Sequence, residues 1–250
     1  MKFREVLQRL VKPLALLSST LAGFDLLPTN KLQHPDRFLK TFLKLQKIDF
    51  VFDIGANKGE FIKTIRGLGF EGLIVAIEPG PQAFRKLQAL TKKDKKVILL
   101  NLAAGQSAGF QTLYQFSDDA LNSLHEPNDR FHKRYGNITK TSVIEVTSLD
   151  RLIDELITQK LINIESKGFL KIDVQGSELE VLDGGVKSWR LFQGIQIELN
   201  ALALYNRPTS QTECFKKMEE LGFGVGSFMP VSREGFALID YDAIFVRYPN

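Results

Sequence analysis

The sequence is poor in cysteine: Cys214 is the single one among 250 residues. One cysteine cannot form an internal disulfide, so the chain does not belong to the small disulfide-stabilised class of secreted domains. We therefore expect a reducing compartment, the cytoplasm, and we interpret Cys214 as an ordinary helix residue.

Excess charge and long apolar runs are also lacking. Lys and Arg total 33 against 29 Asp and Glu, a net charge of +4, which is far from the dense positive stripe of a nucleic-acid-binding protein. No run of 18 apolar residues occurs, so no membrane-spanning helix is predicted. The nearest approach, residues 10–27, contains Lys12, Pro13 and Asp25. We interpret it as a broken amphipathic helix that packs on the domain, with peripheral membrane contact as the alternative.

Histidine is scarce as well. His34, His125 and His132 show no paired ligand spacing, which argues against a zinc site. Asp173 and Glu198 could hold a magnesium ion through oxygen ligands, but we expect no essential metal.

What the sequence does contain is a repeated alternation of apolar runs and helical segments. With 44% hydrophobic residues, the chain can bury a full core as one domain. The runs are continuous rather than alternating, which is typical of strands covered on both faces in a mostly parallel sheet. They are "DFVFDI" (49–54), "LIVAIE" (73–78), "VILLNLA" (97–103), "FLKIDV" (169–174), "GIQIEL" (194–199) and "AIFVR" (243–247). We predict an α/β domain over residues 46–250, preceded by a helical N-terminal extension over residues 1–45.

Capping residues predict where two of the helices begin. Ser177 and Glu180 form an S-x-x-E capping box after the fourth run. Thr147 and Asp150 are expected to open another helix, whose apolar side chains share one face.

Residues 105–146 interrupt the alternation. Two strand-like stretches, "FQTLYQF" (110–116) and "TSVIEV" (141–146), flank a polar segment of residues 117–140. A connection this long and polar is unusual in a compact domain. We expect a functional lid or binding loop, or else disorder, with Asn122 and Ser123 facing a substrate.

The stretch "FVFDIGANKGEF" (50–61) predicts a ligand site. In an open α/β sheet, ligands bind beyond the carboxyl ends of the strands. Gly55 and Gly59 let the backbone turn sharply, and the helix that follows offers free N–H groups to a carboxylate or phosphate. A nucleotide-type ligand is expected, with a generic strand-to-helix turn as the alternative.

The identity of that ligand follows from the spacing. D-x-G-x-x-x-G differs from the G-x-G-x-x-G of dinucleotide sites and lacks the Gly-Lys-Ser/Thr ending of a P-loop. Glu78 ends the second run, where an acid accepts ribose hydroxyls. S-adenosylmethionine has a ribose but no phosphate, and its ammonium is compatible with Asp53. We therefore predict S-adenosyl-L-methionine as the cofactor.

These motifs together resemble the FkbM-type methyltransferases over residues 49–247. The resemblance lies in "VFDIGANKGEF", "IVAIEPGPQAFRKL", "NSLH", "VTSLDRLI", "FLKIDVQGSELEVLDGG", "IQIELN" and "DAIFVR". It implies the Rossmann-like class I methyltransferase fold, with a mostly parallel seven-stranded sheet and helices on both faces. It also implies methylation of a hydroxyl oxygen, typically on a sugar, glycan or polyketide.

The same resemblance assigns cofactor contacts. By it, the methionine end is lined by Asp53, Gly55, Asn57 and Gly59, the ribose by Glu78, and the adenine edge by Asn101, Leu102 and Ala103. Many relatives have Glu where this chain has Gln175, and the change puts a metal or base role at that position in doubt.

Methyl transfer to a hydroxyl also needs a general base, because the acceptor must lose a proton while it is held in line. Asp173 is the first candidate, Glu198 the second and His125 the third. The structural alternatives are a loop-orienting or capping role for Asp173, backbone hydrogen bonds for Glu198, and a solvated loop position for His125.

Other functions are weighed against this one. An N-methyltransferase of nucleic acids usually carries an Asn/Asp-Pro-Pro-aromatic run where "DVQG" (173–176) stands here. A non-catalytic binding module that keeps the fold is the second alternative, and the glycine spacing disfavours a nicotinamide oxidoreductase. No motif specifies the acceptor or the oligomeric state.

Overall fold

The computed structural model describes residues 35–206 and 209–248. The segment interpreted as an amphipathic helix, residues 10–27, lies outside the described residues. Helix α1 (Pro35–Leu45) occupies the end of the predicted extension, with Leu39 and Leu43 buried. Within the described ranges, no helix has both the length and the apolar character that crossing a membrane requires.

The described chain alternates strands and helices in the predicted manner. Its strands are β1 (Phe50–Ile54), β2 (Leu73–Ile77), β3 (Val97–Leu100), β4 (Ala103–Gly105), β5 (Gly109–Gln115), β6 (Lys140–Ser148), β7 (Gly168–Ile172), β8 (Phe192–Asn200), β9 (Phe223–Glu234) and β10 (Ala237–Arg247). The remaining helices are α2 (Glu60–Gly67), α3 (Pro81–Thr91), α4 (Asp129–Tyr135), α5 (Leu149–Thr158), α6 (Glu178–Asp183) and α7 (Gln211–Glu220).

Seven strands form the main sheet in the order β3-β2-β1-β7-β8-β10-β9. The first five run parallel, and β10 lies antiparallel between β8 and β9. The predicted mostly parallel seven-stranded sheet is confirmed. Strand β9 was not anticipated, because its glycines, serines and charged residues hide the apolar signal of an edge strand.

The two faces of the main sheet differ in polarity. One face packs its aromatic side chains edge to face, with the Phe192 ring 5.7 Å from that of Phe50 and 6.3 Å from that of Phe52. Helix α5 buries its apolar side against this cluster, and Trp189 joins it at 4% exposure. The opposite face carries Lys171 at its centre, although Val51 and Phe169 on that face are fully buried. Both faces therefore hold core, and one of them also holds a buried charge.

The interruption at residues 105–146 forms a second sheet, in the order β4-β6-β5. The polar segment between β5 and β6 has a packed conformation. It contains a 3-10 helix (Asp119–Leu121) and α4, which Asn128 caps by accepting from the N–H groups of Arg130 and Phe131. Phe131 is fully buried 5.6 Å from the ring of Tyr205, so the segment contributes core as well as covering surface.

The predicted capping box at α6 is wrong. Ser177 occupies the N-cap position, but its side chain makes no capping hydrogen bond. The reason lies in the neighbouring acids: Glu178 Oε1 accepts the N–H of Gly176 at 2.8 Å, and Glu180 Oε1 instead contacts the ring of His125 at 2.9 Å. The loop before α6 is therefore fixed by a buried carboxylate.

The start of α5 also differs from the prediction by one residue. Ser148, not Thr147, is the N-cap and accepts from the N–H of Arg151 at 3.3 Å. Asp150 points elsewhere and accepts from the N–H and the hydroxyl of Ser188 at 2.9 and 2.6 Å. The helix was predicted correctly, but the roles of its first residues depend on a distant loop.

Gly184 at the end of α6 fixes the contact between this helix and β4. A Cβ atom placed there would lie 2.2 Å from the carbonyl oxygen of Gly105 in β4. No side chain fits at that distance, so the close approach requires glycine.

We expect Gly184→Ala to lower the free energy of unfolding by about 1–3 kcal/mol, because the added methyl group must push β4 away from α6. Gly67→Ala is the matched control, since a Cβ there meets nothing within 4 Å; it should be neutral or gain up to about 1 kcal/mol. Urea denaturation measures both. Equal stabilities of the two variants would contradict the close contact.

Candidate active site

A cavity of about 330 Å³ opens at the carboxyl ends of β1, β2, β7 and β8, where ligands bind in open α/β sheets. Its polar lining comes from the loops after these strands, from the segment between β5 and β6, and from strands β8, β9 and β10. Its apolar lining comes from the strand ends, from β4 and from the same segment. Among the lining residues are Gly55, Asn57, Glu78, Ala103, Ala104, Leu121, Asn122, Ser123, Phe131, Tyr135, Asp173, Gln175, Glu198, Leu204, Val231, Ser232 and Asp240.

The turn after β1 is built around Gly55, whose φ is +81°. A Cβ on Gly55 would lie 1.8 Å from the carbonyl oxygen of Asp173, so the glycine brings the ends of β1 and β7 together. Gly59, with φ +92°, instead lies against the side chains of Leu87 and Leu90 in α3. Of the two glycines predicted at the cofactor, Gly55 lines the cavity, whereas Gly59 allows α2 and α3 to pack.

Glu78 joins two loops at the cavity. Its Oε2 accepts the N–H of Asn57 at 2.8 Å, and its Oε1 accepts the N–H of Gly80 at 2.6 Å. Burial raises the pKa of Glu78 to about 7, although these two N–H donors oppose the shift. Each carboxylate oxygen can accept more than one hydrogen bond, so Glu78 can hold the loops and still bind a ligand hydroxyl.

The three residues predicted at the adenine edge have different positions. Ala103 lines the cavity together with Ala104. Asn101 is exposed, and its side-chain amide donates to the carbonyl oxygens of Glu78 and Pro79 at 2.8 and 3.2 Å. Leu102 packs against the hydrophobic core. Asn101 therefore supports the Glu78 loop from behind, and only Ala103 reaches the cavity.

Asp53 lies fully buried beneath the cavity and is paired in register with Lys171 on β7. Its carboxylate makes no hydrogen bond among the described residues; Oδ1 lies 3.8 Å from the Lys171 Nζ. Burial raises the pKa of Asp53 to about 6, and the charge of Lys171 opposes that rise. Asp53 thus acts through the lysine and does not itself line the cavity.

Lys171 is a buried cation held by two acids. Its Nζ lies 2.8 Å from Asp173 Oδ2. Burial alone would lower the pKa of Lys171, but the charges of Asp173 and Asp53 outweigh it and raise the pKa above its ordinary value. The ammonium therefore stays charged and fixes the direction of the Asp173 carboxylate.

Gln175 connects the two carboxylates that were predicted as bases. Its Nε2 donates to Asp173 Oδ1 at 3.0 Å and to Glu198 Oε1 at 2.9 Å. Its own Oε1 accepts from the Tyr205 hydroxyl at 3.3 Å. Burial, followed by the charge of Asp173, raises the pKa of Glu198 to about 8, while the Gln175 hydrogen bond opposes the shift. Asp173 is therefore ion-paired with Lys171, and Glu198 beside it takes up a proton near neutral pH.

This arrangement does not favour a metal ion. Across residues 35–206 and 209–248, no group of three or more His, Cys, Asp or Glu side chains is placed to hold one. The Gln175 amide also directs its donors at the carboxylate oxygens that would bind a cation. The absence of an essential metal stays a prediction.

The predicted residues of the insert have mixed positions. Asn122 and Ser123 line the cavity, but Asn122 Oδ1 accepts the N–H of Phe116 and Ser123 Oγ donates to the carbonyl oxygen of Gln175. His125 is not among the lining residues, and its ring contacts Glu180 at 2.9 Å. The structure therefore brings Asp173 and Glu198 together at the cavity and leaves His125 outside it.

Several site residues were not found from the sequence. Lys171 left a signal, since it interrupts the apolar run "FLKIDV" two positions before Asp173 and so shares its face of the strand. Ser232 and Asp240 left none, because they reach the cavity from strands distant in sequence. Tyr205, which donates to Gln175, left none either.

The cavity is acidic. Within the described residues it is lined by Glu78, Asp119, Asp173, Glu198 and Asp240 and by no Lys, Arg or His. A phosphate or pyrophosphate would meet only like charge there, whereas a cation or a neutral ligand would not.

Comparison with known proteins places this site in a family. The family model described as the methyltransferase FkbM domain matches residues 53–225, which include the Gly55 turn, Glu78 and the Asp173–Glu198 pair. Methyltransferase sdnD of Sordaria araneosa is 28% identical over 170 residues, 60% of this chain and 65% of its own. Methyltransferase 1 of Beauveria bassiana is 27% identical over 167 residues, 60% of this chain and 64% of its own. The chain thus spans just under two thirds of each relative.

Solved structures with a similar fold have low sequence identity. The magnesium protoporphyrin IX methyltransferase of Synechocystis PCC 6803, solved with bound S-adenosylmethionine, is 9% identical at a TM-score of 0.45, covering 86% of this chain and 79% of its own. An rRNA methylase of Streptococcus thermophilus is 10% identical at a TM-score of 0.47, covering 88% and 99%. The family match covers more than half of the chain and includes most of the residues that line its cavity. The strand order is that of the class I methyltransferase fold; the chain therefore belongs to the FkbM methyltransferase domain family.

Proposed function

We propose that the protein is an S-adenosylmethionine-dependent methyltransferase that methylates a hydroxyl oxygen of a sugar, glycan or polyketide-type natural product. The observation that carries the proposal is the acidic cavity, which joins Glu78 at one end to the Asp173–Glu198 pair at the other. The alternatives are methylation of a nitrogen and a binding module without catalysis.

The residues present fit this cofactor. A positively charged sulfonium suits a cavity whose described lining has acids and no basic side chain. In this proposal Glu78 binds the ribose hydroxyls, Ala103 lies at the adenine edge, and Gly55 and Asn57 hold the methionine end; all four line the cavity. When bound, the cofactor supplies a methyl group whose C–S bond breaks as the C–O bond to the acceptor forms, leaving S-adenosylhomocysteine.

Between the two carboxylates predicted as the base, the contacts support Glu198. Asp173 is held by Lys171 on one oxygen and by Gln175 on the other, an arrangement suited to orienting its neighbours. Glu198 has a pKa of about 8, and a base whose pKa lies near the working pH transfers protons most effectively. In this proposal Glu198 takes the acceptor proton and Asp173, through Gln175, keeps it in position.

The cofactor assignment predicts a selective thermal shift. Saturating S-adenosylhomocysteine should raise the melting temperature, because a ligand that binds only the folded state stabilises it. NAD should give no shift, since its pyrophosphate meets only acids in the cavity. A shift with NAD and none with S-adenosylhomocysteine would contradict the cofactor assignment. A methylated product that carries a new N–CH₃ group would show that the acceptor atom is nitrogen.

Glu78 should make cofactor binding depend on pH. Its raised pKa of about 7 means that the ionised form, which accepts from ribose hydroxyls, gains population as pH rises through 7. The Kd for S-adenosylhomocysteine should therefore be about 10-fold higher at pH 6 than at pH 8. Calorimetry on wild type and Glu78→Gln checks this, and the variant should lose the difference. Glu60→Gln, an exposed acid at the start of α2, is the control that should keep it.

The base assignment predicts unequal pH profiles. Glu198→Gln should lower kcat by about 10²–10⁴-fold, the usual contribution of a general base. Wild-type kcat/KM should rise with pH up to about 8, because the base acts only when ionised and its pKa is raised to that value.

Asp173→Asn is the paired variant. It should also lower kcat, but it should keep a rising pH profile, because Glu198 still titrates. If Asp173→Asn abolishes the profile while Glu198→Gln retains it, the base is Asp173. Affinity for S-adenosylhomocysteine, measured alongside, should change little in either variant.

A further inference from the structure

Four polar side chains that line the cavity have a buried atom without a hydrogen bond within the described part of the chain: Asn57, Ser177, Ser232 and Asp240. The last two are neighbours on adjacent strands. Ser232 on β9 and Asp240 on β10 are paired in register, and both line the cavity. Ser232 Oγ and Asp240 Oδ1 are buried and make no hydrogen bond within the described part of the chain. Because buried polar atoms are nearly always hydrogen-bonded in native proteins, these two indicate a ligand group that binds there.

The strand register fixes how far this pair lies from the catalytic carboxylates. Asp242 pairs with Glu198 and Asp240 with Asn200, so Asp240 lies two residues further along and one strand over, on the same face. With about 3.3 Å per residue and about 4.8 Å between strands, the Cα atoms of Glu198 and Asp240 are roughly 8 Å apart. A single ring fits between two groups at that separation.

The wall beside this pair is apolar. Phe131, Tyr135 and Leu204 line the cavity, and the Phe131 and Tyr135 rings are 5.0 Å apart. The register of β9 and β10 passes from Ser232–Asp240 to Pro230–Tyr241, so Val231 is bulged, and it too lines the cavity. Bulges beside active sites commonly re-aim a side chain. The middle of the acceptor therefore meets hydrocarbon rather than hydrogen-bonding groups.

From these features, and resting on the proposed function, we infer that the acceptor is a compact, ring-sized molecule without an acidic group. Its reacting hydroxyl lies at Glu198, its apolar body lies against Phe131 and Leu204, and a second hydrogen-bond donor, a hydroxyl or an ammonium, binds Ser232 and Asp240. An acidic acceptor is rejected because the described lining of the cavity offers no basic side chain.

Four cyclohexanols that differ only at the fourth ring carbon test this inference. They are cyclohexane-1,4-diol, 4-aminocyclohexanol, 4-methylcyclohexanol and 4-hydroxycyclohexanecarboxylate. Binding is measured by ligand-observed NMR in the presence of S-adenosylhomocysteine. The diol and the amine should bind about 10-fold more tightly than the methyl compound, because each hydrogen-bonds the unsatisfied pair, and the carboxylate should bind more weakly still.

Variants locate the effect. Asp240→Asn should remove the preference for the amine over the methyl compound, and Ser232→Ala should weaken the preference for the diol. Asp119→Asn removes one negative charge from the same cavity at the end where Asp119 contacts Lys86, and it should keep the preferences. Melting temperatures confirm that each variant is folded.

Tighter binding of the carboxylate, equal binding of the diol and the methyl compound, or failure of all four to bind would overturn the inference. Preferences that survive in Asp240→Asn would equally overturn the assignment of the second donor. S-Adenosylhomocysteine binding is followed in the same samples. If it binds while the acceptor preferences fail, only this inference is wrong; if it does not bind, the proposed function is wrong.

Discussion

The buried ammonium of Lys171 is the interaction on which the site depends. It lies between Asp53 on β1 and Asp173, the residue that follows β7. A buried charge is tolerated only when it is paired, so the lysine and its two acids must occur together. Their pairing holds the ends of β1 and β7 in one geometry, at the place where Gly55 brings the two backbones into contact.

A chain of hydrogen bonds continues from this ion pair along the carboxyl edge of the sheet. Gln175 donates to Asp173 and to Glu198, so the orientation of Asp173 fixes that of the other two side chains. Because the amide of Gln175 donates to both acids and accepts from Tyr205, a single neutral side chain bridges the two carboxyl groups. Gln175, which stands where many relatives have Glu, thus has a structural role in the loop after β7.

The segment between β5 and β6 contributes both to the core and to the lining of the cavity. Phe131 is fully buried, and Ser123 donates to the backbone of Gln175, so the segment is tied to the loop it covers. Leu121, Leu124 and Phe131 of this segment also line the cavity. Under the proposed function, acceptor selectivity and the stability of this region therefore rest on the same residues.

Some of this was determined by the sequence itself. Continuous apolar runs fixed the strands that are covered on both faces, and the Gly55 turn with Glu78 marked the carboxyl edge, because strand period and glycine conformation are local properties. The class I fold, with its mostly parallel seven-stranded sheet, and the family were likewise predicted from motifs that keep their spacing.

Only the tertiary structure decided which polar groups meet. Whether Ser177 caps α6 depended on Glu178 and Gly176, and whether Asn101 reaches the cavity depended on the carbonyl groups of the Glu78 loop. The Ser232–Asp240 pair arises from an edge strand, β9, whose composition gives no strand signal. Side-chain hydrogen bonds are set by distance in space. Asp53 and Lys171 are far apart in the sequence and become neighbours only when β1 and β7 pair in the sheet.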